Sequence, residues 1–311
     1  MSMPADSEDL WNEAMALLIA WQARPEDEAA REAVRRFCGQ SPDHRAAWAE
    51  AKQVYRLAEN GMKADRARRR PRLSRRQTLA GLGALGLVGA GALAAPRFNR
   101  RWRADYTTAV AEIRRVPLPD GSWLTLGPES AVDVSFAEGR RRVEVLDGMV
   151  LCEVAPAATP FEGEAGELRA VALGTRFELR RNDGRCSVGV EEGSVEAFAG
   201  ARPPALLHAG DWLTLTADGT SVEQGRRDAG QTAAWRQKLL VAEGDPVGAV
   251  VAEIARWRPG SVFIADPALS GMPVSGLYDL ADPDAALAAV VAPYGGRVRH
   301  VSSWVTVLSR L

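Results

Sequence analysis

Residues Thr78 to Ala95 read TLAGLGALGLVGAGALAA, eighteen residues of glycine, alanine, leucine, one valine and one threonine without a charge. That length meets the lower limit for a helix that crosses a bilayer core. Upstream stand Lys63, Arg66, Arg68, Arg69, Arg70, Arg72, Arg75 and Arg76 against Asp65 alone, and downstream Arg97, Arg100, Arg101 and Arg103. The larger cationic cluster marks the cytoplasmic side by the positive-inside rule, so a single span is expected with the N-terminus in the cytoplasm and the C-terminus in the periplasm. A buried core helix is the competing reading, and the basic clusters at both ends argue against it.

The same stretch carries three further patterns. Gly81 to Gly86 spells GxGxxG, but that fingerprint works only where a strand delivers the glycines to a helix N-terminus, and here an arginine run precedes it. Ser74-Arg75-Arg76-Gln77-Thr78-Leu79 looks like a twin-arginine export signal, which makes Arg75 and Arg76 the export and topology residues. Ala92-Leu93-Ala94 resembles a leader-peptidase site, yet patterned sequence fills the region before it, so retention is expected.

Before the span, residues 1–62 read as three amphipathic helices. Ser7 is expected to cap the first, with Leu10, Ala14, Leu17, Leu18 and Trp21 at helical spacing. Pro25 is expected to open the second, which places Ala30, Ala33, Val34 and Phe37 on one face. Ser41-Pro42 is a cap followed by a first-turn proline, and Ala47, Ala51, Val54, Tyr55 and Ala58 continue the third. The 62 residues hold eleven acidic and seven basic side chains, which lacks the basic footprint of a DNA reader and would suit a protein partner. The basic segment 63–77 is explained by anionic lipid head groups and topology.

After the span the pattern changes to short alternating runs separated by turns. Between residues 105 and 225, runs at Val116 to Leu126 (broken by Pro119-Asp120-Gly121), Val132 to Phe136, Val143 to Leu146, Met149 to Val154, Leu168 to Leu173, Phe177 to Arg181, Cys186 to Glu191, Ser194 to Phe198 and Trp212 to Thr216 read as strands. An all-β sandwich, roll or solenoid follows. From 235 to 311 a repeat with an offset of 37 sets Asp245-Pro246 before Val247, Val250, Val251, Ile254 and Trp257, and Asp282-Pro283 before Leu287, Val290, Val291 and Tyr294. Each helix is flanked by short apolar strands, so two β-α-β units are expected. The fold class is therefore multidomain: a small all-α bundle, one transmembrane helix, an all-β domain and a C-terminal α/β domain.

The 311 residues carry a net charge of −1, which gives no cause to expect nucleic acid as a direct partner. There is no P-loop, HExxH, CxxC or GxSxG string, and His44, His208 and His300 fall in three different domains. Neither an enzyme, a metal site nor a cofactor is expected. Cys152 and Cys186 both sit in strands, where they either pair or serve as small buried hydrophobes. Asp120, Asp147 and Asp211 each adjoin glycine, and turn formation accounts for them.

The order of parts resembles the FecR family of transmembrane anti-sigma factors and sigma regulators. Ala20-Trp21 through Phe37, then Ser41-Pro42-Asp43-His44-Arg45-Ala46-Ala47-Trp48, resembles the family's cytoplasmic domain. Leu118-Pro119-Asp120-Gly121-Ser122, Val145-Leu146-Asp147-Gly148, Pro160-Phe161, Leu173-Gly174-Thr175-Arg176-Phe177 and Glu192-Gly193-Ser194-Val195 are similar to its periplasmic motifs. Val274-Ser275-Gly276 resembles part of the secretin and TonB short N-terminal module. Two departures stand out: Cys152 replaces a common aromatic residue, and Glu162-Gly163 follows Phe161 without a clear strand.

The resemblance implies a relay. The bundle would hold an extracytoplasmic-function sigma factor, with Trp21, Phe37 and Trp48 as candidate contacts. The periplasmic part would sense the signalling domain of a TonB-dependent receptor, commonly for iron-siderophore uptake. Some members of the family cut themselves at a Gly-Thr bond, which Gly174-Thr175 matches. The Thr175 hydroxyl would attack the Gly174 carbonyl in an N-to-O acyl shift that a strained peptide favours and water completes. The alternative reading is a membrane-anchored protein that binds a glycan or another envelope polymer and has no cytoplasmic partner.

Overall fold

The computed structural model describes residues 5–23, 27–68, 103–137, 139–182, 184–216, 219–302 and 304–310. Among them no helix is long and apolar enough to cross a membrane. The expected span at Thr78 to Ala95 lies outside the described residues, as do Arg75 and Arg76.

The N-terminal bundle has three helices, α1 (Ala5–Ala23), α2 (Glu28–Gln40) and α3 (Pro42–Arg68). Ser7 falls inside α1 rather than ahead of it. Asp27 caps α2, its carboxylate accepting from Ala29 N at 2.9 Å, because an acceptor side chain satisfies a free helix-end N–H; Pro25, expected to open this helix, lies outside the described residues. Ser41 behaves as its sequence suggests, its Oγ accepting from His44 N at 3.3 Å ahead of Pro42. Trp11, Ala14, Leu18, Phe37, Ala51 and Val54 form the bundle's interior.

Residues 105–226 fold as an all-β sandwich organised on one bent strand. The fourteen-residue β5 (Arg140–Glu153) belongs to both sheets. Its first half pairs with β4 (Ala131–Ala137) and, in parallel, with β6 (Phe161–Ala165); its second half pairs with β3 (Trp123–Leu126) and β8 (Arg176–Asn182). The bend falls at Asp147-Gly148, where the sequence suggests a linker between two runs. Gly148 has φ +89°, and a Cβ there would sit 2.6 Å from Ser130 Cα and against its Oγ, so glycine lets the strand pass from one sheet to the other.

The run after Phe161 is a strand after all. Phe161, Gly163 and Ala165 point inward, and a Cβ on Gly163 would come within 2.5 Å of Leu179. The inward position has no room for more than hydrogen, so alternation is present in a form that hydropathy hides. On the far side β9 (Arg185–Glu192), β12 (Asp211–Leu215) and β13 (Val222–Arg226) extend the second sheet, while β7 (Leu168–Ala172), β10 (Ser194–Ala199) and β11 (Ala205–His208) extend the first.

The C-terminal module contains the expected helices, α4 (Val247–Ile254) and α6 (Pro283–Val291), with a short α5 (Pro267–Ser270) between them. Its strands pair across the repeat. β14 (Leu239–Pro246) runs antiparallel to β16 (Pro273–Asp279), and β15 (Ser261–Ile264) runs parallel to β18 (Val305–Ser309), which also pairs with β17 (Arg297–Ser302). The repeat is imperfect at its caps: Asp282 accepts from Ala285 N, whereas Asp245 lies in β14 and turns back to Glu243 N.

The three-stranded sheet is apolar on both faces. Val262, Ile264, Val298 and Leu308 face the module's helices, while Phe263, Ala265, Val301, Val305 and Val307 face the N-terminal bundle. The two regions are also joined by Arg299, which donates to Glu50 at 2.5 Å and lies 5.1 Å from the centre of the Trp11 ring. A membrane between bundle and module, as the sequence suggests, would part these contacts.

Candidate functional site

Strand alternation positions the seam between sandwich and C-terminal module. On β8, Phe177 and Leu179 enter the sandwich core, so Glu178 and Arg180 must emerge on the opposite face. Met149 and Leu151 of β5 emerge beside them, and Trp235, Val250, Val251 and Ile254 cover that face. The charged groups buried with them are paired. Arg180 bridges Glu178 at 2.8 Å and Glu253 at 3.1 Å; Asn182 donates to Glu253 at 2.6 Å; Trp235 Nε1 donates to Glu178. Arg256 donates to Asp147 at 2.9 Å, to Asn182 Oδ1 at 2.7 Å and to Glu129 O at 3.1 Å. Removing Arg256 would leave the Asp147 carboxylate, and removing Arg180 the Glu253 carboxylate, in low dielectric without a cationic partner.

Asp120 has more to do than form its turn. Its carboxylate accepts from Ser122 N and Oγ and from Arg141 Nη1 at 2.9 Å. The Arg141 guanidinium, almost wholly buried, also reaches Ala155 O and Thr159 O. Burial raises the Asp120 pKa, but the hydrogen bonds from Ser122 and Arg141 outweigh it and hold the group below the usual carboxylate range. Asp147 likewise serves as the acceptor for Arg256. Only Asp211 stays close to a turn residue, accepting from His208 N at 2.9 Å.

Gly174-Thr175 joins β7 to β8. Thr175 is buried, its Oγ1 has no hydrogen-bond partner, and its carbonyl accepts from Val154 N at 2.9 Å. A Cβ on Gly193 would press within 2.8 Å of the Thr175 methyl. Gly174 itself is not in the left-handed region, so the strain the sequence suggests is not carried by its φ.

The three aromatic candidates for partner contact are not one presented surface. Phe37 is buried in the bundle, edge-on to His44 with ring centres 4.8 Å apart; Trp48 is buried 6.2 Å from the half-buried Trp21. Phe37 and Trp48 act as packing residues here because the small bundle draws its core from its largest apolar side chains. Cys152 and Cys186 are free and buried, and burial pushes the Cys152 thiol up. They cannot pair: Cys152 lies opposite Phe177 and Cys186 opposite Arg181, on the two sides of β8 and four residues apart along it, so they are separated by more than two strand spacings of about 10 Å in all.

The seam residues Glu178, Arg180, Glu253 and Arg256 were not among the sites expected from the sequence. Their signal is a charge inside an apolar frame, as with Glu253 between Val251 and Ile254 on the covered face of α4.

The architecture is a β-sandwich with an α/β module locked to one face by buried ion pairs. Residues 104–196 match the model of the FecR protein family. Two crystal structures of a candidate anti-sigma factor from Parabacteroides distasonis ATCC 8503, at 1.65 and 2.50 Å resolution, are similar in fold with a TM-score of 0.61. Each matches over 66% of this chain and 98% of its own, at 22% identity. No curated protein is significantly similar in sequence.

Proposed function

We propose that this chain is an anti-sigma-type signalling protein. The observation that carries the reading is the FecR-family match at 104–196 set between an acidic three-helix bundle and an α/β module. The bundle would hold an extracytoplasmic-function sigma factor, and the sandwich with its docked module would receive the signalling domain of a TonB-dependent receptor, with iron-siderophore supply as the stimulus. Thr78 to Ala95 would anchor the chain in the inner membrane. Release would follow cutting, for which Thr175 Oγ1, buried and unpartnered, is the nucleophile.

The test is co-expression of the tagged full-length chain with each extracytoplasmic-function sigma factor of its source genome. One sigma factor should be retained and its promoter activity should fall. Retention of none would favour the envelope-polymer reading.

The contact of Glu50 with Arg299 favours a second reading of topology, in which bundle and module share one side and Thr78 to Ala95 does not cross. Under the membrane reading that contact belongs to the chain before insertion.

A further inference from the structure

Between the second sheet of the sandwich and α4 lies a cavity of about 520 Å³, a size that takes a small organic molecule. In its lining, Arg180 is bound on both sides by Glu178 and Glu253, so its charge is already met.

Arg227 is in a different state. It lies over the Trp212 indole, 5.1 Å from the ring centre, with only a quarter of its side chain exposed. The one carboxylate within 4 Å among the described residues is Glu243, 3.9 Å from Nε and beyond hydrogen-bond reach, and that Nε has no other acceptor. Burial and the nearby Arg180 push the Arg227 pKa below its ordinary value. A guanidinium so placed gains from an added anion. The lining of the cavity also includes the apolar Val241, Pro246 and Ala249.

We infer that this cavity binds a small organic monocarboxylate, its carboxylate accepting hydrogen bonds from Arg227 and its apolar body lying against Trp212, Val241, Pro246 and Ala249. The charge of the ligand follows from the rest of the lining. Glu178, Asp245 and Glu253 line the cavity together with Arg180, Arg185 and Arg227, three acids against three bases, so a monocarboxylate adds one negative charge to a balanced site where a phosphate dianion would add two. The planar fork of arginine also matches a carboxylate. Since the site is built from both modules, its occupant would tighten the seam and stabilise the folded chain by mass action. The inference does not depend on the sigma factor or on the membrane, because every residue it uses lies outside the bundle and the span.

The test uses the purified full-length chain and a panel of benzoate, indole-3-acetate and octanoate beside benzamide, indole-3-acetamide and octanamide, read by calorimetric titration and by thermal unfolding. At least one acid should bind saturably and raise the melting temperature, and its amide should bind roughly tenfold more weakly or worse, the loss of one charged hydrogen-bonded contact. Arg227→Gln should abolish the preference for the acid, while Arg226→Gln, on the exposed neighbouring residue, should leave it intact. Should Arg227→Gln fail to fold, Ala249→Phe fills the cavity from its apolar lining and should block binding. Absence of binding by every acid, equal binding of acid and amide, or binding that survives both Arg227→Gln and Ala249→Phe would overturn the inference.

Discussion

Arg256, just past α4 of the C-terminal module, donates to Asp147 at the bend of β5 across 109 positions of sequence, 2.9 Å apart and both largely buried. The same guanidinium reaches Asn182 and the Glu129 carbonyl, so one side chain ties the module to the point where the sandwich changes sheets. Arg256→Met should cost about 3–5 kcal/mol, because it strands the Asp147 carboxylate. Urea unfolding would measure this, and adding Asp147→Asn should recover part of the loss. An unchanged midpoint in the single variant would show that the seam does not depend on the pair.

Gly148 and Gly139 offer a matched comparison, both with positive φ. A Cβ at Gly139 meets nothing within 4 Å, so Gly139→Ala should cost about 1–2 kcal/mol of backbone strain alone. At Gly148 the Cβ collides with the Ser130 backbone, so Gly148→Ala should cost clearly more, with loss of the cooperative transition as the extreme outcome. Equal melting temperatures for the two variants would refute the role given to the bend.

These two residues also mark where the sequence was legible. Alternation in Phe177 to Arg181 locates a strand, since Phe177 and Leu179 are apolar while Glu178 and Arg180 are not; Leu168 to Leu173 is legible as a short apolar run. Asp147-Gly148 resembles a hairpin turn because a strand that bends between sheets needs the same residue that a turn needs. Phe161 to Ala165 hides its alternation behind glycine, and Arg297 to Ser302 hides a strand behind arginines, one of which reaches the bundle. The charged seam is invisible along the chain for another reason. Glu253 and its partners Arg180 and Asn182 lie more than seventy positions apart, and local pattern carries no information about which distant charge will meet it. Phe37 and Trp48, aromatic residues that the sequence suggests as partner contacts, are buried in the bundle.

Acid should weaken the sandwich. The folded pKa of Asp120 lies below its unfolded value, and so does that of Glu164, held down by its hydrogen bond from Arg142. A depressed carboxylate contributes stability above its unfolded pKa of about 4 and loses it as pH falls through the folded pKa. The melting temperature should therefore fall as pH drops below roughly 5. Asp120→Asn should lower stability at neutral pH and flatten that decline. A variant with the wild-type pH profile would remove Asp120 as its source.

If the chain cuts itself, Thr175 is required. The step forms an ester between Thr175 Oγ and the Gly174 carbonyl carbon, frees the Thr175 amine, and ends when water releases the Gly174 carboxylate. Thr175→Ala should abolish two fragments that meet at this bond, and Thr175→Ser should keep them. Identical gel patterns for wild type and Thr175→Ala would remove the proposal, and Thr175 would then count only as packing, through its methyl, against Gly193.

Glu50 and Arg299 separate the two topologies. In the docked arrangement their side chains meet while Trp11 lies beside them, so Glu50→Cys with Arg299→Cys, in a Cys38→Ser, Cys152→Ser, Cys186→Ser background, should be bridged by a bifunctional thiol reagent about as long as the two side chains it replaces. A helix crossing at Thr78 to Ala95 would place the two positions on opposite faces of a bilayer core about 30 Å thick, where no such bridge can form. Membrane fractions of cells expressing the double variant should therefore give no cross-link, and a reporter fused after Leu311 should be active only in the periplasm. Cross-linking in the membrane fraction together with a cytoplasmic reporter would reject the span and leave the bundle as a lid on the C-terminal sheet. The outer face of that sheet bears on the choice: Phe263, Val301, Val305 and Val307 pack with the bundle in one apolar cluster, so undocking the bundle would expose an apolar surface.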